Sequence, residues 1–166
     1  MIISYLTKNL YINTIIVILI FILDRFSKIY VMNLDKVNYS SELYQSKYLN
    51  ISLVWNEGIA FGLLSFNESF GYNIVTIIIL FVIIVLVLML NNAKNLSRLA
   101  LLLILGGALG NFFDRAYYSA VPDFIDFYYK GFHWFIFNVA DVFITIGVFC
   151  LILDELFFYK KNNEFE

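Results

Sequence analysis

Polar residues of the kinds used in acid–base chemistry interrupt an otherwise apolar chain at a few places. Asp24 and Lys28 stand four apart in "DRFSK", and Asn111, Asp114 and Arg115 stand three and four apart in "GGALGNFFDR". Asn138 and Asp141 repeat the three-residue spacing in "NVAD", and Asp123 sits in "VPDF". Residues three or four apart share a helix face, so Asp24 can pair with Lys28, and the polar groups of the second set point one way. Gly107 extends that face by one turn and lets another helix approach closely. Arg115 beside Asp114 suggests a structural ion pair. Asp123 and Asp141 have no basic neighbour at helical spacing. If these two carboxyls face each other, they cannot both ionise easily, and the pair shares a proton. One member can then activate water while the other protonates a leaving amine, which is peptide hydrolysis without a covalent intermediate. Pro122 holds Val121 extended and stiffens the approach to Asp123.

Other chemistries are poorly supplied. His133 is the one histidine and no HExxH stretch is present, so a zinc peptidase is not expected, and no metal or cofactor is. A Ser/His/Asp triad would have to use His133 without a GxSxG elbow. Ser27 and Lys28 are adjacent, and adjacent helix residues do not face each other. "GGALG" lies inside an apolar run with no lysine following, unlike a phosphate loop. The net charge of −2 leaves no basic footprint for nucleic acid. The single cysteine, Cys150, excludes an internal disulfide and reads as a small packing residue.

The elements that must position these groups are those of a membrane protein. The 166 residues are 61% hydrophobic and 14% charged, against roughly 25% charged in soluble domains. The first apolar segment runs into "DRFSK" with no small-residue cleavage site, so it reads as retained rather than as a signal peptide. A spanning helix needs ~20 apolar residues. Four segments qualify, at about 10–32, 70–90, 98–115 and 135–156. The expected fold is thus an α-helical integral membrane protein, a single domain with four transmembrane helices. Lys8, Lys94, Arg98, Lys160 and Lys161 flank one side, and Lys36, Lys47 and Lys130 the other, which favours both termini in the cytoplasm. On that topology Asp24 lies ~20 Å, and Asp114 ~24 Å, along outward-running helices. Asp141 falls early in an inward-running one and Asp123 in the outer connection at about 116–134, so all these acids converge near the outer leaflet. The outer loop at about 33–68 contains "YLNISLVWNEG", which alternates like a half-buried strand, and "IAFGLLSF" can return as its partner. A small extracytoplasmic sheet is expected there.

Taken in order, "DRFSK" (24–28), "NEGIAFG" (56–62), "GGALGNFFDR" (106–115), "VPDF" (121–124) and "FNVADVFITIG" (137–147) resemble the lipoprotein signal peptidases, the type II signal peptidases of bacteria. Each stretch alone is weak, but together they follow the family's order and spacing over essentially the whole chain. The resemblance implies four membrane helices, an outer β-cradle and a short extracytoplasmic helix. It implies an aspartyl protease with catalytic Asp123 and Asp141, supported by Asp24, Lys28, Asn56, Asn111, Asp114, Arg115 and Asn138. It further implies a prolipoprotein substrate whose cysteine carries diacylglycerol, cleavage just before that cysteine, no metal, and inhibition by globomycin. No obligate protein partner is expected, and membrane lipid surrounds the chain. Asn56 is expected to bind the peptide backbone.

Blander readings stand beside these. The two acid–base pairs could simply hold helices together. Asp126 reads as a solvated loop residue, Glu57 as a turn residue, and His133 and Trp134 as interfacial anchors. A proton-coupled carrier would place polar groups along the whole crossing, whereas the inner halves of the segments are bare.

Overall fold

The computed structural model describes residues 2–38, 41–57 and 68–159. Helix α1 (Ile2–Asn38) is followed by strands β1 (Glu42–Gln45) and β2 (Leu49–Asn56), then helices α2 (Glu68–Leu90) and α3 (Asn95–Tyr118). Strands β3 (Val121–Tyr129) and β4 (Phe132–Phe137) precede helix α4 (Val139–Asp154), which closes in a π-helical turn, Glu155–Tyr159.

The helices pack through small residues and branched aliphatics. Ile83 and Leu86 of α2 meet Leu101, Ile104, Leu105 and Ala108 of α3 in one buried cluster. On its other side α3 lies close against α4. A Cβ on Gly107 would stand 2.5 Å from the carbonyl oxygen of Ala140, and one on Gly147 would stand 2.7 Å from that of Ala100. The close approach expected at Gly107 is therefore present, and its neighbour is α4.

The 37 residues of α1 extend about 55 Å, longer than a bilayer core of about 30 Å. Its upper end carries the sheet. Val31 and Met32 bury against Leu53 of β2 and Phe124 of β3. Residues 33–38, expected in the outer loop, continue the helix about one and a half turns beyond this contact. The sheet is antiparallel throughout, in the order β1-β2-β3-β4. Strand β2 thus finds a partner in β3, from the connection between α3 and α4, Asn56 opposite Val121 and Asn50 opposite Asp126, with a bulge between Ile51 and Val54. The return strand expected from "IAFGLLSF" lies outside the described residues. The stretch 121–137, expected as loop running into a helix from 135, is instead a hairpin. Lys130 and Gly131, with φ of 48° and 87°, make its tight turn. The fourth helix starts later than expected, at Val139, because Phe132–Phe137 pair with β3.

Burial is inverted relative to a water-soluble protein. Asp24, Lys28, Asp114 and Asn138 are fully enclosed, while Ile15, Ile18, Ile22, Phe26, Ile77 and Phe81 face outward. Of the described helices, Asn95–Tyr118 meets both the length and the hydropathy of a membrane span, and Ile74–Leu90 is apolar but shorter.

Candidate active site

Two carboxyls from different elements meet at one asparagine. Ser119 ends α3 in a left-handed turn (φ 60°), its N–H donating to the Arg115 carbonyl at 3.1 Å. The chain then enters β3, which carries Asp123. Strand β4 runs back alongside, with Phe137 opposite Ile125, and delivers Asn138 beside Asp123. Asn138 is also the N-cap of α4. Its side-chain oxygen accepts from the Asp141 N–H at 3.2 Å, and its own N–H donates to Asp141 Oδ2 at 3.1 Å, a reciprocal capping box. Asn138 Nδ2 donates to Asp123 Oδ1 at 2.6 Å. One enclosed residue therefore holds both acids, Asp123 through its side-chain amide and Asp141 through its backbone N–H.

Each carboxyl has a second donor. Asn56, at the end of β2, donates to Asp123 Oδ2 at 2.9 Å, and Asn111 of α3 donates to Asp141 Oδ1 at 2.8 Å. Asp123 is 4% exposed. Burial pushes its carboxyl up from 3.8 to about 6, and nearby Asp141 adds to the rise, against the hydrogen bonds from Asn56 and Asn138 and the charge of Lys28. An acid with this value exchanges a proton near neutral pH, the range useful for general acid–base work.

Behind the pair lies a buried cluster of charges. Lys28 Nζ donates to Asp24 at 2.9 Å, to Asp114 Oδ2 at 2.7 Å and to Asn111 Oδ1 at 2.9 Å. The expected Asp24–Lys28 pair is present. Asp24 Oδ1 also accepts the Ala140 N–H of α4 at 3.0 Å. Asp114 receives Lys28 and Arg25 from α1, charge partners that come from across a helix interface rather than from its sequence neighbour Arg115 as expected. Arg115 is buried in the last full turn of α3. Gly110, which sequence reasoning passed over, makes room for the cluster, since a Cβ there would stand 2.5 Å from Asp24 Oδ2.

Two other residues differ from expectation. Asp126 is 3% exposed rather than solvated, because β3 turns it onto Asn50 (3.3 Å) and His133 (2.7 Å). His133 accordingly ties β4 to β3 and is more than an interfacial anchor. Nothing in the local sequence marks this pair, since their contact depends on hairpin register. Arg25 was read only as a break in an apolar run. Its role rests on a partner in α3, which sequence spacing cannot reveal.

A cavity of about 550 Å³ opens beside Asp141, walled by Ile125, Phe127 and Phe137 of the sheet and Val142 and Ile146 of α4. Among the described residues, no three His, Cys, Asp or Glu side chains converge as metal ligands would.

This combination of a helix bundle, an antiparallel sheet and a polar site between them has solved counterparts. One bacterial membrane enzyme structure matches with a TM-score of 0.73 and 32% identity, covering 88% of this chain and 93% of the other. A second bacterial membrane enzyme matches with a TM-score of 0.67 and 33% identity, over 87% of each chain. Residues 16–157 match the family described as signal peptidase (SPase) II. The lipoprotein signal peptidase of Pelagibacter ubique (strain HTCC1062) is 54% identical over 95% of both chains. That of Anaplasma marginale (strain Florida) is 37% identical over 93% of this chain and 89% of its own. The chain belongs to the signal peptidase II family, a family of peptidases.

Proposed function

We propose that this protein is an intramembrane aspartyl endopeptidase that removes the signal peptide from diacylglyceryl-modified prolipoproteins, cutting just before the lipidated cysteine. The observation that carries the mechanism is the convergence of Asp123 and Asp141 on Asn138. The relatives named lipoprotein signal peptidase support the substrate.

The pair holds one proton. The ionised carboxylate accepts a proton from water as the water oxygen attacks the scissile carbonyl carbon. The protonated carboxyl gives its proton to the carbonyl oxygen, so a neutral tetrahedral diol forms with no bond to the enzyme. On collapse the carbon–nitrogen bond breaks, the leaving amine takes a proton from one carboxyl, and a diol hydroxyl returns one to the other. The pair ends as it began. Asn111, Asn56 and Asn138 donate to the ionised forms and hold the two groups in line. The apolar cavity beside Asp141 suits an aliphatic part of the substrate. Asn56, exposed at the end of β2 beside Asp123, would hold the peptide backbone.

The inverted burial supports a bundle that crosses the bacterial cytoplasmic membrane four times. Both termini then lie inside, and the acids sit near the outer leaflet. Globomycin would compete at this site. The test is cleavage of a diacylglyceryl prolipoprotein by detergent-solubilised protein, read by gel shift. Wild type is expected to cut, and Asp123→Asn and Asp141→Asn, while still folded, are expected to lose at least about 1,000-fold in rate. Near-normal turnover in either folded variant would remove that aspartate from the mechanism.

A further inference from the structure

We propose that Arg25 is a positioning residue for the reaction, balancing the buried charges behind the site so that Lys28 can orient Asn111 against Asp141. The proposal rests on the aspartate-pair reading. Arg25 is 9% exposed and none of the sequence motifs assigns it a role. Its two terminal nitrogens grip both oxygens of Asp114, Nη1 on Oδ1 and Nη2 on Oδ2 at 2.5 Å, and Nη2 also donates to Asp24 Oδ2 at 3.0 Å. The guanidinium lies 5.0 Å from the Phe113 ring centre and 6.0 Å from that of Phe21, so aromatic rings fix its plane.

Charge balance gives the reason. Asp24 and Asp114 are both enclosed, and Lys28 alone would leave one buried negative charge uncompensated, a strongly unfavourable state. With Arg25 present the cluster is neutral. Lys28 divides its three N–H bonds among Asp24, Asp114 and Asn111. The bond to Asn111 Oδ1 leaves that amide only one useful orientation, with Nδ2 toward Asp141. A flipped amide would press a carbonyl oxygen against the carboxylate. Arg25 thus reaches the reacting group through Asp114, Lys28 and Asn111, touching no substrate itself.

The groups that face this cluster are Asn111 on α3, Asp141 on α4 and, through the charge of Lys28, Asp123 on β3. Changing the cluster's net charge therefore moves the bell of kcat/KM against pH in a direction set by sign. Arg25→Gln removes a cation and should move the bell upward by about one pH unit, since nearby acids then ionise less easily. Its kcat should fall about tenfold or more while KM changes less than about twofold, because the bonds lost are charge-assisted and remote from bound substrate. Asp114→Asn removes an anion and should move the bell downward. The double variant Arg25→Gln/Asp114→Asn restores neutrality and should return it to the wild-type position.

Each variant that folds carries its own sign, so failure of one to fold leaves the others decisive. A folded single variant whose bell coincides with that of wild type, whatever its melting temperature, overturns the proposal and leaves Arg25 a structural tie. Failure of the dyad reading shows separately, as cleavage by Asp123→Asn or Asp141→Asn.

Discussion

Asn138 carries more of the site than either acid. It caps α4, donates to Asp123 and fixes Asp141, and it does so fully buried. Asn138→Ala would leave Asp123 Oδ1 without its shortest donor and α4 without its cap. We expect a loss of about 2–4 kcal/mol in stability and a fall in kcat beyond about a hundredfold, checked by thermal unfolding and by initial rates in detergent. Asp123 makes a separate prediction from its titration. Its carboxyl in the folded protein sits at about 6, above the ordinary 3.8, so the folded state binds this proton more tightly than the unfolded one. Stability from this group is fully present below about pH 4 and is lost as pH rises through about 6. The melting temperature of the wild type should therefore fall across that window relative to Asp123→Asn, which lacks the titration. Coincident slopes would show that Asp123 is not raised.

At the scale of elements, the distances between helices decide what chemistry can be enclosed. Gly110 is the point where α3 yields to the Asp24 carboxylate of α1, and Gly107 is where it yields to the backbone of α4. An added methyl at either meets a group that cannot retreat, the Asp24 carboxylate because Lys28 and Arg25 hold its Oδ2 and the Ala140 N–H its Oδ1, and the Ala140 carbonyl because it is backbone. Gly110→Ala should therefore lower the melting temperature and reduce cleavage together. Gly131→Ala is the control. Its φ of +87° makes any side chain there strained by about 1 kcal/mol, but nothing lies within 4 Å and the site is remote. We expect Gly131→Ala to be slightly destabilised with unchanged kcat, measured in the same preparations.

For the whole molecule, the outward-facing aliphatics and enclosed charges form the pattern expected where lipid replaces water as solvent. The site then lies at one end of the bundle, on the side where α1 continues upward to carry the sheet. This makes a topological prediction. In a Cys150→Ser background, a cysteine at Lys130, in the hairpin turn, should react with a membrane-impermeant thiol reagent added outside intact inner membrane. A cysteine at Lys94, between α2 and α3, should react only after permeabilisation. The reverse pattern would place the acids at the inner surface.

Much of this was legible in the sequence, for local reasons. Apolar runs long enough for helices, the i, i+4 pairing of Asp24 with Lys28, and the alternation of residues 49–56 are properties of neighbouring residues, and they appear as α1 to α4, a 2.9 Å contact and β2. The motif order pointed to the family for the same reason. What joins segments distant in the chain was decided by tertiary structure alone. The β3–β4 hairpin has no strong alternation to announce it, and only its pairing with β2 brings Asn56 to Asp123 and Asp126 to His133. Arg25 shows the limit most clearly. Its charge is visible at once, but its partner Asp114 lies 89 residues away, and nothing short of the packed α1–α3 interface brings them together.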